Sequence, residues 1–241
     1  MRIHRALARA GIASRRKAEE LVAAGRVCIN GAVARTGQSV DPARDTITVD
    51  GKAVGRPQKA AWLVLHKPAG VLTSRPDGTD RRTVFELVPD VPGLTYVGRL
   101  DYLTEGVLLL TTDGEAAHRL THPSSEVERT YVATVRGDVP TAVRQARMGV
   151  ELDDGFVRPL AVDAVQGADR QWQMTLTIRE GRNREVRRLC EALDLEVRRL
   201  VRTQFGPVRL GSLPAGASRP LTAREVALIA TIGQTPDGDE G

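Results

Sequence analysis

The chain has 241 residues, 41% of them hydrophobic and 27% charged, which is the composition of one large or two ordinary globular domains. Aromatic residues make up 3%, too few for a single-strand-binding protein that stacks bases on aromatic side chains, and no long apolar run predicts a membrane-spanning helix. Residues 1–60 hold 12 Lys or Arg against 5 Asp or Glu, and the rest of the chain holds 23 against 25, so the excess positive charge lies in the first quarter.

Apolar residues at helical spacing predict a first helix over residues 3–10, ended by Gly11. A second helix is predicted from the N-cap residue Ser14 to about Ala24. A hairpin over residues 27–33 follows, because the pair Asn-Gly between two apolar runs is typical of a two-residue turn. Another strand and turn are predicted at residues 47–51.

Three cations occupy the first turn of the second predicted helix, namely Arg15, Arg16 and Lys17. The helix dipole disfavours a cation there by about a few tenths of a kcal/mol each, and a bound anion would offset that cost. Arginine pairs with phosphate in a planar, bidentate way, so the first quarter is predicted to bind nucleic acid. A basic surface that meets only solvent is the alternative.

The order of these elements, and the segment ARAGIASRRKAEELVAAGRVCINGAVA in particular, resembles the S4 RNA-binding domain over about 50 residues. In that family the two helices form a surface that faces RNA. The resemblance implies an S4 domain over residues 1–58, with phosphate contacts from Arg15, Arg16, Lys17 and Arg26.

A short linker is predicted at residues 53–60, where small and polar residues are interrupted by Pro57. Beyond it, strands and helices are mixed without β-α-β alternation, which predicts an α+β fold with a largely antiparallel sheet over residues 61–232. The acidic residues 233–241 are predicted to be a frayed tail. The predicted strands are residues 62–66, 71–74, 94–97, 106–112, 130–136 and 172–179, and the predicted helices are residues 115–121, 140–148, 184–193 and 223–231.

Three segments of this larger region carry candidate chemistry: residues 99–106, 128–131 and 180–189. Each is ambiguous alone, since an aspartate such as Asp101 commonly ends a strand or begins a turn. Tyr131 before an apolar strand is typical of a core residue. The arginine-rich third segment lies at a predicted helix start, where it could simply bind phosphate.

Taken together, GRLDYLTEGVLLLTTDG, ERTYVATVRG and EGRNREVRRLCEAL, in this order and preceded by KPAG, closely resemble pseudouridine synthases of the RsuA/RluB type. An S4 domain followed by such a catalytic domain with a mixed, mostly antiparallel sheet is that family's arrangement, and the resemblance covers roughly residues 2–232. These enzymes convert a uridine of RNA into its C-glycoside isomer, and no cofactor or metal is implied.

The resemblance assigns roles to individual residues. Asp101 matches the essential aspartate, which either attacks C1′ of the ribose or removes its 2′ proton. Arg187 matches the arginine that pairs with that aspartate, and a nearby cation favours the ionised carboxylate. Tyr131 matches the aromatic residue that packs on the target base, and Arg99 matches the arginine that holds the nucleotide out of its helix.

Further RNA contacts are expected from Lys67, Arg182 and Asn183, with no metal ligands. A two-carboxylate glycosidase is a rival for cleavage of an N-glycosidic bond, but the motif contains one well-placed acid, since Glu105 is assigned no role. A non-catalytic S4-containing RNA-binding or ribosome-assembly factor is the alternative from another class.

The predicted partner is ribosomal RNA or a ribosome assembly intermediate. Asn183 and the segment THPSSEVER resemble the large-subunit RluB branch, which favours 23S rRNA near the peptidyl transferase centre, whereas ASRPLT is nearer to the small-subunit branch, so 16S rRNA stays open. The basic N-terminus has no apolar signal core, so a cytoplasmic protein is expected. Cys28 and Cys190 lie far apart in the sequence, so no disulfide framework is expected. A monomer is also expected.

Overall fold

The computed structural model describes residues 1–13, 15–55, 59–167 and 171–233. The predicted N-cap Ser14, Pro57 of the predicted linker and nearly all of the predicted acidic tail lie outside the described residues. The chain divides into two compact units. The first comprises Met1–Ala61 with the short segments Asp90–Thr95 and Thr111–Gly114, and the second comprises Trp62–Pro89, Tyr96–Leu110 and the chain from Glu115 on.

The first unit contains two helices and a small antiparallel sheet. Its elements are α1 (Ile3–Arg9), α2 (Arg15–Ala23), β1 (Val27–Ile29), β2 (Ala32–Val33), β3 (Ile47–Val49) and β4 (Lys52–Ala53). The strands lie in the order β2-β1-β3-β4. Gly11 follows α1 with φ +73°, so the predicted glycine end of that helix is confirmed.

The predicted Asn-Gly hairpin is also confirmed. Asn30 and Gly31 have φ of +51° and +85°, the left-handed conformation that both central residues of this turn require. The Asn30 side chain donates to Asp45 and accepts from the Thr46 backbone N–H, which ties the turn to the loop before β3. Apolar side chains of both helices and of the sheet, among them Ile3, Leu7 and Val27, form the core of this unit.

The second unit has a nine-stranded sheet with helices. Its strands are β5 (Trp62–Lys67), β6 (Thr95–Val97), β7 (Thr104–Thr111), β8 (Arg129–Arg136), β9 (Val150–Leu152), β10 (Gly155–Val157), β11 (Ala161–Gln166), β12 (Trp172–Ile178), β13 (Glu196–Phe205), β14 (Val208–Arg209) and β15 (Ser218–Pro220). Its helices are α3 (Gly114–Thr121), α4 (Val139–Met148), α5 (Glu185–Ala192) and α6 (Ala223–Thr231).

The main path of the sheet runs β11-β12-β8-β13-β7-β5-β15, with β14 beside β13 and β6 beside β7, while β9 and β10 form a separate hairpin. The pairing of β13 with β7 is parallel, and β13 pairs with β8 and β12 with β8 in antiparallel register. The prediction of an α+β fold with a mixed, mostly antiparallel sheet is confirmed. Val107 and Leu109 of β7 pack with Val64 and Phe205 in a hydrophobic core cluster of this unit.

In the described part of the second unit, one predicted strand does not form, and six strands were not predicted, namely β9, β10, β11, β13, β14 and β15. Residues 71–74 are not a strand, because only one isolated bridge, from Leu72 to Thr83, forms there. Of the strands that were not predicted, β13 lies in the middle of the sheet. Because β13 contains several charged residues and is buried only at some positions, its sequence lacks the regular alternation of apolar and polar residues that predicts a strand. Within the described residues, no helix is both long and apolar enough to cross a membrane.

Candidate active site

A cleft of about 780 Å³ lies in the second unit, and the three predicted segments all contribute to its lining. The structure therefore brings together residues that are far apart in the sequence. The predicted site residues that line the cleft are Arg99, Asp101, Tyr131, Arg182, Asn183 and Arg187. Concave sites with a few convergent polar groups are the usual place for a ligand.

Asp101 lies in the loop that leads from β6 into β7 and is half-buried. Its backbone carbonyl accepts a hydrogen bond of 3.0 Å from the Thr104 N–H, which forms the turn that starts β7. Its carboxylate has no hydrogen-bond or ion-pair partner among the described residues and lines the cleft. The backbone of Asp101 is thus fixed by hydrogen bonds, while its side-chain carboxylate is available to a substrate.

Lys67 supports this loop from beneath, which corrects its predicted contact with RNA. The side chain is fully buried at the end of β5, and its Nζ donates to the backbone carbonyls of Asp101 at 3.1 Å, Tyr102 at 3.3 Å and Thr104 at 2.9 Å. Burial lowers the pKa of Lys67 to about 8, while the carboxylates of Asp101 and Glu105 act in the opposite direction. An ammonium enclosed in this way fixes the loop and is out of reach of RNA.

Arg187 lies on α5, where it is buried, and its Nη2 donates to the Leu103 carbonyl at 3.0 Å. The predicted ion pair with Asp101 is not formed in the described part of the chain, because the guanidinium is anchored on the backbone two residues further along the loop. The two charges still interact: burial lowers the pKa of Arg187, and Asp101 partly opposes that effect. Arg187 thus places positive charge near the carboxylate without occupying it.

Tyr131 is buried on β8, in register with Leu176 of β12 and Arg202 of β13. Alternate residues of a strand face the same side, so Arg129 and Tyr131 both face the cleft from β8. The aromatic ring consequently forms part of the cleft lining in the middle of the sheet.

Two buried arginines of the cleft were given no role by the sequence analysis, Arg129, which lies in the second segment, and Arg202, which lies outside all three. Arg129 Nη1 donates to the carbonyls of Val127 and Glu180 at 2.8 and 3.0 Å, which joins the start of β8 to the loop before α5. The guanidinium carbons of Arg129 and Arg202 lie 5.2 and 5.0 Å from the centre of the Phe205 ring. Their burial depends on the position of β13, which no local pattern in the sequence indicated.

The remaining predicted residues lie at the rim. Arg99 and Asn183 are exposed and line the cleft. Arg182 instead holds the turn between β9 and β10: its guanidinium donates to Asp154, to the Gly155 carbonyl at 3.1 Å and to Glu180 at 2.5 Å. This structural role was not predicted for Arg182.

In the first unit, Arg15, Arg16 and Lys17 are exposed on the first turn of α2, as predicted. Lys17 forms an ion pair of 2.7 Å with Glu20. Arg26 is exposed and forms a two-point ion pair with Asp50, with nitrogen–oxygen distances of 2.8 and 2.5 Å. The side-chain hydrogen bond to Asp50 raises the pKa of Arg26, so this guanidinium stays charged.

Comparison with known proteins agrees with the two units. Residues 61–192 match the family model described as RNA pseudouridylate synthase, and residues 1–47 match the S4 domain. The chain is 42% identical to an RNA pseudouridine synthase of Aquifex aeolicus, over 95% of this chain and 93% of that protein. It is 40% identical to ribosomal large subunit pseudouridine synthase B of Bacillus subtilis, over 96% of each chain.

A crystal structure of a pseudouridylate synthase superimposes with a TM-score of 0.62 at 28% sequence identity, covering 95% of this chain and 99% of that one. The predicted resemblance to the RsuA/RluB type is thereby confirmed, and the enzyme is an isomerase. The chain belongs to the RNA pseudouridylate synthase family and carries an S4 domain at its N-terminus.

Proposed function

We propose that this enzyme converts a uridine of 23S ribosomal RNA near the peptidyl transferase centre into pseudouridine. The choice of the large subunit is supported by relatives named ribosomal large subunit pseudouridine synthase B, in Bacillus subtilis at 40% identity and in Vibrio vulnificus at 42%. The local features at Asn183 and at residues 121–129 favour the same branch.

The observation that carries the proposal is the Asp101 carboxylate, which lines the cleft without a partner among the described residues while its backbone is held on Lys67. Isomerisation of uridine requires one carboxylate at the sugar. Asp101 either attacks C1′ or removes the 2′ proton, and both routes require a carboxylate that the ribose can reach.

The other predicted residues take positions around that carboxylate. Tyr131 packs on the uracil ring and is the candidate base for its C5 proton. Arg187 places positive charge near the Asp101 carboxylate. Arg99 and Asn183, exposed at the rim, hold the nucleotide that has left its helix. The exposed cations Arg15, Arg16, Lys17 and Arg26 of the S4 domain contact RNA phosphates.

A glycosidase mechanism needs a second acid, and Glu105, the acid near Asp101 in the sequence, is poorly suited to that role. Glu105 accepts two hydrogen bonds of 2.8 Å from Arg199, and these bonds lower the pKa of Glu105. A carboxylate with a lowered pKa stays ionised and is a weak general acid.

The proposal is tested by incubating the purified protein with 16S and 23S rRNA that lack this modification, followed by carbodiimide treatment and primer extension. A new stop at one uridine of 23S rRNA is expected. A stop only in 16S rRNA would overturn the large-subunit target and keep the reaction. An abasic site, detected by aniline cleavage, would indicate the glycosidase.

The non-catalytic alternative is tested with the same RNA. An assembly factor would bind rRNA and modify no uridine, and its function in cells would survive the substitution Asp101→Asn. We expect that substitution to remove both the stop and the function in cells.

A further inference from the structure

Arg202 has an unusual position for an arginine. It lies within β13, in the middle of the sheet, and only 3% of its surface is exposed. It lines the cleft and is paired in register with Tyr131 of β8. A guanidinium is costly to bury, so its partners should be complete unless a ligand supplies some of them.

The hydrogen bonds of Arg202 are incomplete within the described chain. Its Nε donates to the Val107 carbonyl at 2.8 Å, and its buried Nη2 has no partner among the described residues. Two further buried donors on the same cleft also lack a partner in the part of the chain that the structure describes, Oγ1 of Thr104 and Nε of Arg187. Three unpaired donors on one cleft indicate a ligand that presents hydrogen-bond acceptors.

The charges of the second unit show the same imbalance. Three of the arginines that line the cleft are buried, Arg129, Arg187 and Arg202, whereas Glu185 is the one buried carboxylate of its lining among the described residues. Arg202 has no carboxylate partner in the described ranges, and its guanidinium lies 5.0 Å from the Phe205 ring. The cleft therefore holds positive charge that the described protein groups leave uncompensated and that an anion would stabilise.

We infer that Arg202 contacts the uracil of the target nucleotide and stabilises the negative charge that this base carries while it is detached from the sugar. The inference rests on the proposed function. Arg202 lies outside the three motif segments, and it acts on the base rather than on C1′.

The chemistry requires such a group. When the N1–C1′ bond breaks, its electron pair stays on uracil and spreads over N1, O2 and O4. The electron pair that C1′ loses is replaced in one of two ways. Either the Asp101 carboxylate forms a bond to C1′, or Asp101 takes the C2′ proton and the electrons of the C2′–H bond form a double bond to C1′. The base turns and C5 bonds to C1′, while the bond from Asp101 to C1′ breaks or, in the second route, Asp101 returns the proton to C2′. The C5 proton then leaves to a base, and N1 gains a proton. Atoms and charge balance, and uracil is anionic only between the two steps.

A fixed donor that meets charge only when it develops lowers the barrier more than it strengthens binding. Arg202 fits this role because Val107 anchors its Nε and the β8–β13 pairing places it beside Tyr131. Phosphate is a less suitable partner, since Arg202 is buried, pairs in register with Tyr131 and lies 5.0 Å from the centre of the Phe205 ring. Arg99 and Arg184 at the exposed rim are better placed for the RNA backbone.

The test uses the full-length enzyme and a synthetic rRNA fragment with either uridine or 5-fluorouridine at the position identified by the mapping experiment. Fluorine at C5 stabilises the uracil anion, so a protein group that does the same becomes less important. Arg202→Met and Arg202→Lys are compared with wild type by single-turnover loss of the target nucleoside and by the Kd for the RNA. Arg199→Met, an exposed arginine of the same strand paired with Glu105, is the matched control.

We expect Arg202→Met to slow loss of uridine by about 100-fold, as removal of one charge-stabilising donor does elsewhere, with the Kd changed less than about threefold. The loss should shrink to about 10-fold or less with 5-fluorouridine. Arg202→Lys should lie between wild type and Arg202→Met, and Arg199→Met should match wild type on both RNAs.

Equal losses on both RNAs would mean that Arg202 serves only the structure of the sheet, and would overturn the inference even if the variant is partly unfolded. A weakened Kd with a salt dependence reduced by about one ion would assign Arg202 to a phosphate, and would overturn it too. If wild type modifies no uridine, the proposed function itself fails. A failure of Arg202 alone leaves wild-type activity intact, so the two failures are distinguishable.

Discussion

The cations of the two units differ in how they are held. Arg15 and Arg16 of the S4 domain are exposed on the first turn of a helix, whereas Lys67, Arg187 and Arg202 of the catalytic unit are buried and anchored on backbone carbonyls. An exposed cation is screened by salt and contributes to affinity for a polyanion. A buried and fixed cation is preorganised, so it contributes to the reaction. Substitutions in the two groups should therefore change different quantities.

The largest change in rate among the buried cations is expected for Arg187→Met. Removing the cation that interacts with Asp101 should lower the single-turnover rate by about 300-fold, with a change in RNA Kd below about threefold. Tritium release from RNA labelled at C5 of uridine measures the rate, and Arg187→Lys should recover part of it. If the substitution mainly weakens RNA binding and leaves the rate nearly unchanged, Arg187 acts like the exposed cations. The proposed difference between the exposed and the buried cations would then be wrong.

Lys67→Met should lower the same rate by about 100-fold, because the loop carrying Asp101 would lose the donor shared by three of its carbonyls. The exposed Lys52→Met is the matched control and should behave as wild type. An unchanged rate in Lys67→Met would show that the loop is held without the ammonium.

Replacing Arg15, Arg16 and Lys17 together by Ala should weaken RNA binding by about 30-fold and reduce its salt dependence, because phosphate contacts release counterions. The rate at saturating RNA should change little. Arg35, Arg44 and Lys52, also exposed in the first unit, provide a triple-Ala control of equal charge that should bind RNA nearly as wild type does. Equal weakening in both triples would mean that net charge matters and the α2 surface does not.

The contrast between exposed and buried cations was only partly predictable from the sequence. The resemblance of the three motifs to the family predicted that Asp101, Tyr131 and Arg187 share one site, and helical periodicity placed Arg15–Lys17 on a first turn. The role of Lys67 was not predictable, because its bonds reach a loop more than thirty residues further along the chain. Arg202 was missed because its burial follows from the central position of β13, and the neighbouring arginines of that strand are exposed.

The smallest expected effect concerns stability and pH. The pKa of Lys67 is about 8 in the folded protein, below its ordinary value of 10.5, so the unfolded chain binds more protons between those values. The free energy of unfolding of wild type, minus that of Lys67→Met, should therefore rise as the pH increases from 8 towards 10.5. Urea unfolding of both proteins at pH 7.5 and 9.5 measures this difference in the free energy of unfolding. A difference that becomes smaller at the higher pH would contradict a lowered pKa of the buried Lys67.

The central claim is that the carboxylate of Asp101, which has no side-chain partner among the described residues, performs the isomerisation. Its most direct test compares Asp101→Asn with Glu105→Gln, the neighbouring acid that is already paired with Arg199. In single-turnover assays on rRNA, Asp101→Asn should lose at least about 1,000-fold in pseudouridine formation while retaining the wild-type Kd, and Glu105→Gln should stay within about threefold of wild type. Wild-type activity in Asp101→Asn, or an equal loss in both variants, would contradict the claim.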